Sequence, residues 1–297
     1  MKKTTLFKQY LLARDILLIP VAHDPLGAKI IERVGFKVVG CGGYASSAAL
    51  MGAPDIELLT LTNMVDCVWR MADAVDLPVW ADGDNGHGNV TNVQQTVRQM
   101  EKAGAAAIML EDQVSPKRCG HMSGKHVVSA DEFIAKIKAG VDARKDNDFT
   151  ILARTDAIAV LGLNEAIDRA HRAVEAGADW VFLEAPETLD QMYQIPKLLP
   201  VPTLANMIPG GKTPVLPAAE LQSIGFAAVV WPNVFTYAYA KLATELAKEL
   251  LSTGSTTPFD ERMIQFDEFN ELVGLPKIRT NEEHYYAGSE GAHVKAS

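Results

Sequence analysis

Residues 93–113 read VQQTVRQMEKAGAAAIMLEDQ, and this stretch carries the pattern that decides the fold. Val93, Val97 and Met100 fall four and three residues apart, the spacing of one apolar helix face. Lys102-Ala103-Gly104 then closes the helix, because glycine reaches the left-handed backbone that ends one. The apolar run Ala107–Leu110 follows at once, of a length that suits a buried strand rather than a helix. It ends in Glu111-Asp112-Gln113, three polar side chains placed where the apolar run stops.

The same unit recurs along the chain. Ile16–Val21, Lys37–Cys41, Val79–Ala81, Thr150–Ala153, Trp180–Leu183, Thr203–Ala205 and Ala227–Trp231 are further candidate strands, which makes eight. Amphipathic stretches such as Phe133–Ile137 lie between them, and Glu175-Ala176-Gly177 is a second helix stop. Eight alternations in about 240 residues predict an α/β fold, a (β/α)8 TIM barrel, with a doubly wound sheet as the alternative. Residues 1–255 are assigned to the barrel. Beyond residue 256 the pattern changes, and Phe266–Asn270 with Leu272–Ile278 read as a helical extension spanning 256–287. No helical period is visible through Tyr285-Tyr286-Ala287, and a disordered tail is expected over 288–297.

Composition narrows the function. The 297 residues carry 28 Lys and Arg against 37 Asp and Glu, a net charge of −9. That excludes the basic surface through which nucleic-acid proteins neutralise phosphates, and a polybasic membrane surface. No apolar run approaches the ~18 residues of a membrane span. Ile16–Ala22 is too short for a signal peptide and follows Arg14-Asp15. Three cysteines without a CxxC pair argue against a disulfide framework or structural zinc, and for the reduced thiols of a cytoplasmic enzyme.

In a barrel, chemistry sits at the C-terminal ends of the strands. Here those ends read Gly42-Gly43-Tyr44 with Pro54-Asp55 beyond, Asp82-Gly83-Asp84-Asn85-Gly86, Glu111-Asp112-Gln113, Arg154-Thr155-Asp156, Glu184 and Asn206. Turn acids and helix caps account for a lone Asp-x-Asp, but not for acids at so many strand ends together. Packed carboxylates repel and raise one another's pKa, and a divalent cation relieves this. With no His or Cys clustered among them, hard Mg²⁺ or Mn²⁺ suits the oxygen donors better than zinc. Arg154 matches a substrate carboxylate through its planar fork, or pairs with Asp156 or Glu184. No lysine ends a strand, which weighs against a Schiff-base aldolase. After the fourth strand, Lys117-Arg118-Cys119-Gly120-His121 surrounds one thiol with cationic side chains, the setting of a low-pKa proton donor or nucleophile. Pro116, Gly120 and Gly124 suit a mobile lid. Cys41 and Cys67 read as buried apolar residues, His23 as a loop residue, and Trp69, Trp80, Trp180 and Trp231 as packing residues.

These motifs give the chain its resemblance to a known family. Gly52-Ala53-Pro54-Asp55, Asp82–Gly86, Leu110–Gln113 with Lys117–His121, Ala153–Ala157, and Ala205-Asn206-Met207 with Gly210–Pro214 are similar to the isocitrate lyase and phosphoenolpyruvate mutase superfamily over residues 8–280. The Lys-Arg-Cys-Gly-His run marks its carbon–carbon lyase branch. Tyr44, Asn206-Met207-Ile208 and Phe269-Asn270-Glu271-Leu272 resemble most the dimethylmalate lyase, oxaloacetate acetylhydrolase and petal-death group, with 2-methylisocitrate lyases close by. Those lyases usually carry an Arg near Tyr237, so a dicarboxylate is favoured over a tricarboxylate.

The resemblance implies a last helix swapped between subunits beyond Thr236, a homotetramer built as a dimer of dimers, and Mg²⁺ at Asp84 with Asp82, Asp55 and Glu111 acting directly or through water. It implies Cys119 as general acid, and Lys117, Arg118 and His121 stabilising an enediolate. Tyr44 or Glu184 would carry the hydroxyl proton. Gly42, Gly43, Tyr44, Gly120, Arg154, Glu184 and Asn206 would hold the substrate. The chain departs from the family pattern at Gly42, usually Ser or Thr; at His87, usually Phe or Tyr; at Pro209, usually Glu; and at Asn233-Val234-Phe235, often a Ser- or Thr-containing stretch. The expected reaction is cleavage of the C2–C3 bond of a 2-hydroxy dicarboxylate of the 2,3-dimethylmalate or 2-methylisocitrate type. Oxaloacetate hydrolysis, carboxyphosphonoenolpyruvate mutation and a non-catalytic relative are the alternatives.

Overall fold

The computed structural model describes residues 1–287, and the predicted tail 288–297 lies outside the described residues. Eight parallel strands form one sheet: β1 (Leu17–Ala22), β2 (Val39–Cys41), β3 (Val79–Asp82), β4 (Ala105–Glu111), β5 (Thr150–Thr155), β6 (Trp180–Leu183), β7 (Leu204–Asn206) and β8 (Ala228–Trp231). Each of the eight overlaps the apolar run that predicts it. The order β6-β5-β4-β3-β2-β1-β8-β7 brings the two outer strands back together, where a single bridge between Val181 and Thr203 closes a (β/α)8 barrel.

Alternating side chains divide the apolar residues into two cores. One fills the barrel and contains Ile19, Trp80, Leu152, Trp180 and Phe182; the other lies between strands and helices and contains Val39, Val93, Val97, Met100 and Ile137. The first helix, Lys3–Leu11, bonds to the segments that precede β3 and β5: Lys3 donates to the carbonyls of Ala72 and Val75, and Thr5 to Asp148. It thereby plugs the N-terminal mouth with Phe7, whose ring meets Trp180 at 5.6 Å, while Trp80 meets Trp180 at 6.4 Å. The bottom is sealed with aromatic carbon, and the polar strand ends are left at the other mouth.

Trp69 departs from its predicted role. It lies on the helix Leu61–Ala74 at 52% exposed, with the Arg70 guanidinium over its ring, because the buried face of that helix is carried by Met64, Val68 and Met71. Cys41 is buried on β2, and Cys67 is half-buried on that same helix.

The described chain forms two compact units, Met1–Tyr239 and a second that begins at Ala240, inside the helix Val234–Thr253. The second unit continues through a 3-10 turn at Thr257–Arg262 and the helices Phe266–Leu272 and Leu275–Tyr286, separated by Gly274 in the left-handed conformation. The last helix runs through Tyr285 and Tyr286, where no helical period is visible. It buries no residue, so nothing in it selects an apolar stripe.

Candidate active site

At the C-terminal mouth, β3 and β4 are locked together by backbone. Gly83 N–H donates to the Met109 carbonyl at 2.9 Å and Glu111 N–H to the Asp84 carbonyl at 2.9 Å. A Cβ on Gly83 would stand 2.6 Å from the Met109 oxygen, so only glycine lets the strands approach this closely. Asp82 accepts from the backbone N–H of Gly43 and of Asp84, each at 3.0 Å. These bonds bring the end of β2, the acids of β3 and Glu111 of β4 to one place.

Lys117 reaches into this cluster from the loop after β4. Its Nζ lies 2.6 Å from Asp55 Oδ1 and 2.7 Å from Asp84 Oδ1, with all three side chains buried. Burial pushes the Asp84 carboxyl up, against the pull of Lys117 and with the push of Asp82 and Asp55, to about 7. Burial raises Glu111 well above the usual carboxylate range although Arg154 and Lys117 pull it down. Glu111 Oε1 is buried without a hydrogen-bond partner. One lysine therefore leaves these acids short of positive charge, and their oxygen donors fit a hard divalent cation. Among the described residues no three acid, His or Cys side chains converge as a ready-made ligand set. A cation here would be held by one or two side chains and otherwise by water, which is how Mg²⁺ is usually bound.

Beside the acids lies a cavity of about 200 Å³. Asp55, Cys119, Gly120, His121, Arg154, Glu184 and Asn206 supply its polar side, and Val21, Trp80, Met109, Phe182, Ile208 and Val230 its apolar wall. Gly42, Gly43, Tyr44 and Asp82 also line it, so most of the predicted substrate and catalytic residues meet in one volume, while Asp84, Glu111 and Lys117 stand just behind.

Arg154 is fully engaged. Its guanidinium contacts Asp156 at 3.0 Å, Glu184 at 3.1 Å and Glu111 at 3.2 Å. Burial raises the Asp156 carboxyl, but Arg154 and Lys125 outweigh it and hold Asp156 at about 2. Glu184 is likewise held below its ordinary value by Arg154 and His121 against burial, and so is ionised. His121 Nδ1 accepts from the Lys212 N–H at 2.9 Å, which leaves the ring proton on Nε2, 3.2 Å from Glu184 Oε1. Asn206 Nδ2 donates to both Glu184 oxygens at 3.3 Å, and its own Oδ1 is buried without a partner.

The Cys119 thiol corrects one expectation. It is raised, to about 11, rather than lowered. Burial is the main cause. The residues that flank it in sequence are engaged elsewhere: Lys117 with Asp55 and Asp84, the His121 ring with Glu184, and Arg118 is exposed and donates to the Ser123 carbonyl. Arg118 therefore does not reach the cavity with its neighbours. Tyr44 also stays protonated, because burial and a 3.2 Å bond to the Tyr237 hydroxyl push its phenol well above the ordinary range.

The loop that carries Cys119 is pinned by Glu57 and Lys125, which no apolar pattern or motif singles out, and by Gln113 just after β4. Glu57 Oε2 accepts from Lys117 N–H and from the Ser115 hydroxyl, and Lys125 donates to the Gly120 carbonyl and to Asp156. Gln113 holds both backbone groups of Arg118. A Cβ on Gly120 would enter the Glu184 side chain and the Arg154 guanidinium. Gly120→Ala should therefore displace the loop and lower kcat about a hundredfold, the cost of misplacing a reacting group by about 1 Å. Steady-state kinetics with an unchanged circular dichroism spectrum would check this, and wild-type kcat would refute it.

Three comparisons place the chain among known proteins. The phosphoenolpyruvate phosphomutase family profile matches residues 7–251. The 2,3-dimethylmalate lyase of Eubacterium barkeri is 44% identical over 281 residues, covering 95% of this chain and 97% of its own length. Among solved structures, oxaloacetate acetylhydrolase with the inhibitor 3,3-difluorooxalacetate superposes with a TM-score of 0.90 at 30% identity, over 97% of this chain and 98% of that one. Phosphonopyruvate hydrolase with oxalate and Mg²⁺ superposes with a TM-score of 0.87 at 31% identity, over 96% and 99%.

Proposed function

The chain belongs to the phosphoenolpyruvate mutase and isocitrate lyase superfamily and is a carbon–carbon lyase, and from this we propose that it splits the C2–C3 bond of an alkylated 2-hydroxy di- or tricarboxylate, of the 2,3-dimethylmalate or 2-methylisocitrate type, into an α-keto acid and a carboxylate. One observation carries the reading. A half-buried thiol that keeps its proton lines the same cavity as an ionised glutamate and the arginine paired with it. The apolar wall of Trp80, Met109, Phe182 and Ile208 suits alkyl substituents rather than a further carboxylate. Each methylene seated there is worth only about 1–3 kcal/mol of discrimination.

Asp84, with Asp82, Asp55 and Glu111, would hold a divalent cation, Mg²⁺ or Mn²⁺. Bound there, it would supply positive charge to the substrate's 2-hydroxyl and carboxylate and ease loss of the hydroxyl proton. The remaining steps fall to side chains. Arg154 and Asn206 orient the carboxylates. Glu184, ionised, accepts the hydroxyl proton, a task for which Tyr44, held as a phenol, is the weaker candidate. The C2–C3 electron pair then moves to C3 and its carboxyl group as the C2 carbonyl forms. Lys117 and His121 stabilise the resulting enediolate. Cys119 delivers its thiol proton to C3 and completes the carboxylate.

The proposed assembly is a homotetramer, a dimer of dimers that exchanges the helices beyond Thr236, working in the cytoplasm. In support, the helix Val234–Thr253 buries no residue within its own chain, and Leu251 is 90% exposed. No helix among the described residues is long and apolar enough to cross a membrane.

An assay coupled to lactate dehydrogenase, with Mg²⁺ and a panel of 2,3-dimethylmalate, 2-methylisocitrate, isocitrate, citramalate and oxaloacetate, tests the reading. Pyruvate from one of the first two, abolished by EDTA, is the expected result. Oxalate from oxaloacetate would replace it with hydrolysis. Silence across the lyase substrates would overturn it.

A further inference from the structure

Resting on the reading of Asp84 as a cation ligand, we propose that His87 supplies a nitrogen ligand to the same cation, so that the site selects manganese over magnesium. His87 Nε2 lies 3.7 Å from Asp84 Oδ2. That is too long for a hydrogen bond. It lies between the separations of two donors on one six-coordinate ion: donors each about 2.1 Å from a cation stand about 3.0 Å apart at a right angle and about 4.2 Å apart when opposed, so a shift of under about 1 Å seats both on one ion.

The His87 side chain is 10% exposed, and its Nε2 is buried with no hydrogen-bond partner. Such a nitrogen has no partner within the protein, and a cation beside it would accept its lone pair. The two oxygens of Asp84 are divided in a way that fits this. Lys117 Nζ sits on Oδ1 at 2.7 Å, while Oδ2 is the oxygen that faces the imidazole. The ring is aimed by its backbone. His87 has φ +58°, a conformation more accessible to His and Asn than to most residues, and its N–H is fixed on Asn85 Oδ1 at 3.0 Å. The turn thereby carries the ring back over Asp84.

The mixed donor set decides the metal. Carboxylate and water oxygens suit Mg²⁺ and Mn²⁺ alike, whereas imidazole nitrogen favours the transition ions, whose affinities rise from Mn²⁺ through Fe²⁺ to Co²⁺. Two protein donors, Asp84 and His87, leave the other positions of a six-coordinate ion to water and to an oxygen-bearing substrate.

Pulsed EPR on the full-length protein loaded with Mn²⁺ tests this directly, because a coordinated imidazole nitrogen imprints its coupling on the manganese signal. The expected result is nitrogen coupling in the wild type and its loss in His87→Asn, which tolerates the same backbone and offers an oxygen instead. Calorimetric titration with each ion should show the preference for Mn²⁺ over Mg²⁺ falling at least about tenfold in that variant. Mn²⁺ that binds without nitrogen coupling, and whose binding is lost in Asp84→Asn, would overturn the role of His87 and leave the cation reading standing. Coupling that persists in His87→Asn would also overturn it. Failure of the wild type to bind either ion would overturn the cation reading itself. The wild-type spectrum is decisive on its own if the variant does not fold.

Discussion

Replacing Cys119 with alanine will lower kcat by a factor of about 10² to 10⁴, the range that a positioned general acid contributes. Cation binding will be unchanged, because the thiol makes no hydrogen bond or ion pair with the acid cluster: the hydrogen bond between Cys119 and Asp55 runs from the Cys119 backbone N–H to the Asp55 carbonyl at 3.2 Å. The pH profile separates this role from that of a nucleophile. A nucleophile needs the thiolate and gains activity as pH rises toward the thiol pKa; a proton donor needs the thiol and loses activity there. Burial sets that pKa at about 11, so the thiol remains fully protonated through the neutral range. The wild-type rate should hold across neutrality and fall only on the far alkaline side. Turnover in Cys119→Ala comparable to wild type would remove Cys119 from the reaction.

Arg154→Met will destabilise the fold by about 3–5 kcal/mol, the cost of removing one partner from a buried ion cluster and leaving the others uncompensated. Glu111, Asp156 and Glu184 all lose the same cation, and each is buried. Without Arg154 their folded-state pKa values rise above those of the unfolded chain. The folded variant then binds more protons than the unfolded one, and its stability falls as pH rises through the unfolded pKa values. The deficit should be largest at neutral and alkaline pH and shrink on acidification. In the wild type the sign is opposite for Asp156: held at about 2, it contributes stability above the ordinary aspartate pKa that is lost as pH falls toward 2. Urea midpoints across a pH series would show it. A deficit that does not change with pH would mean that lost packing, and not stranded charge, is the cause.

Most of the barrel is legible in the sequence because each strand is buried on both faces and so reads as an unbroken apolar run. Polar residues that end such runs, Asp82, Glu111, Arg154, Glu184 and Asn206, are conspicuous for the same reason, and they surround one mouth of the barrel. What escapes is what loops and side-chain geometry decide. Glu57, which pins the loop carrying Cys119, and Lys125, which ties that loop to Asp156, lie in polar connections where a charged residue is ordinary. The raised thiol of Cys119 escapes too. Lys117 and His121 beside it are drawn to carboxylates contributed by other parts of the chain and Arg118 turns outward, and a one-dimensional reading counts charges without seeing where they go. Trp69 and the helix through Tyr286 are misread for a further reason: a residue or helix without a buried face leaves no pattern for period or composition to detect.

The barrel closes at a seam, β6 against β7, through one backbone bridge between Val181 and Thr203, whereas the other neighbours share longer ladders. Glu184 extends β6 by one residue and Asn206 ends β7, and the amide of Asn206 clasps both oxygens of Glu184. The side chain proposed to take the substrate's proton is thus also a rivet across the weakest joint of the cylinder. When the joint parts, the carboxylate is released from its donor at the same moment. Breathing of the scaffold and the proton-accepting strength of Glu184 are therefore one motion viewed from two sides: a substrate that grips Glu184 and Asn206 together tightens the whole ring, and amide exchange at Val181 and Ala205 is where that tightening would register first.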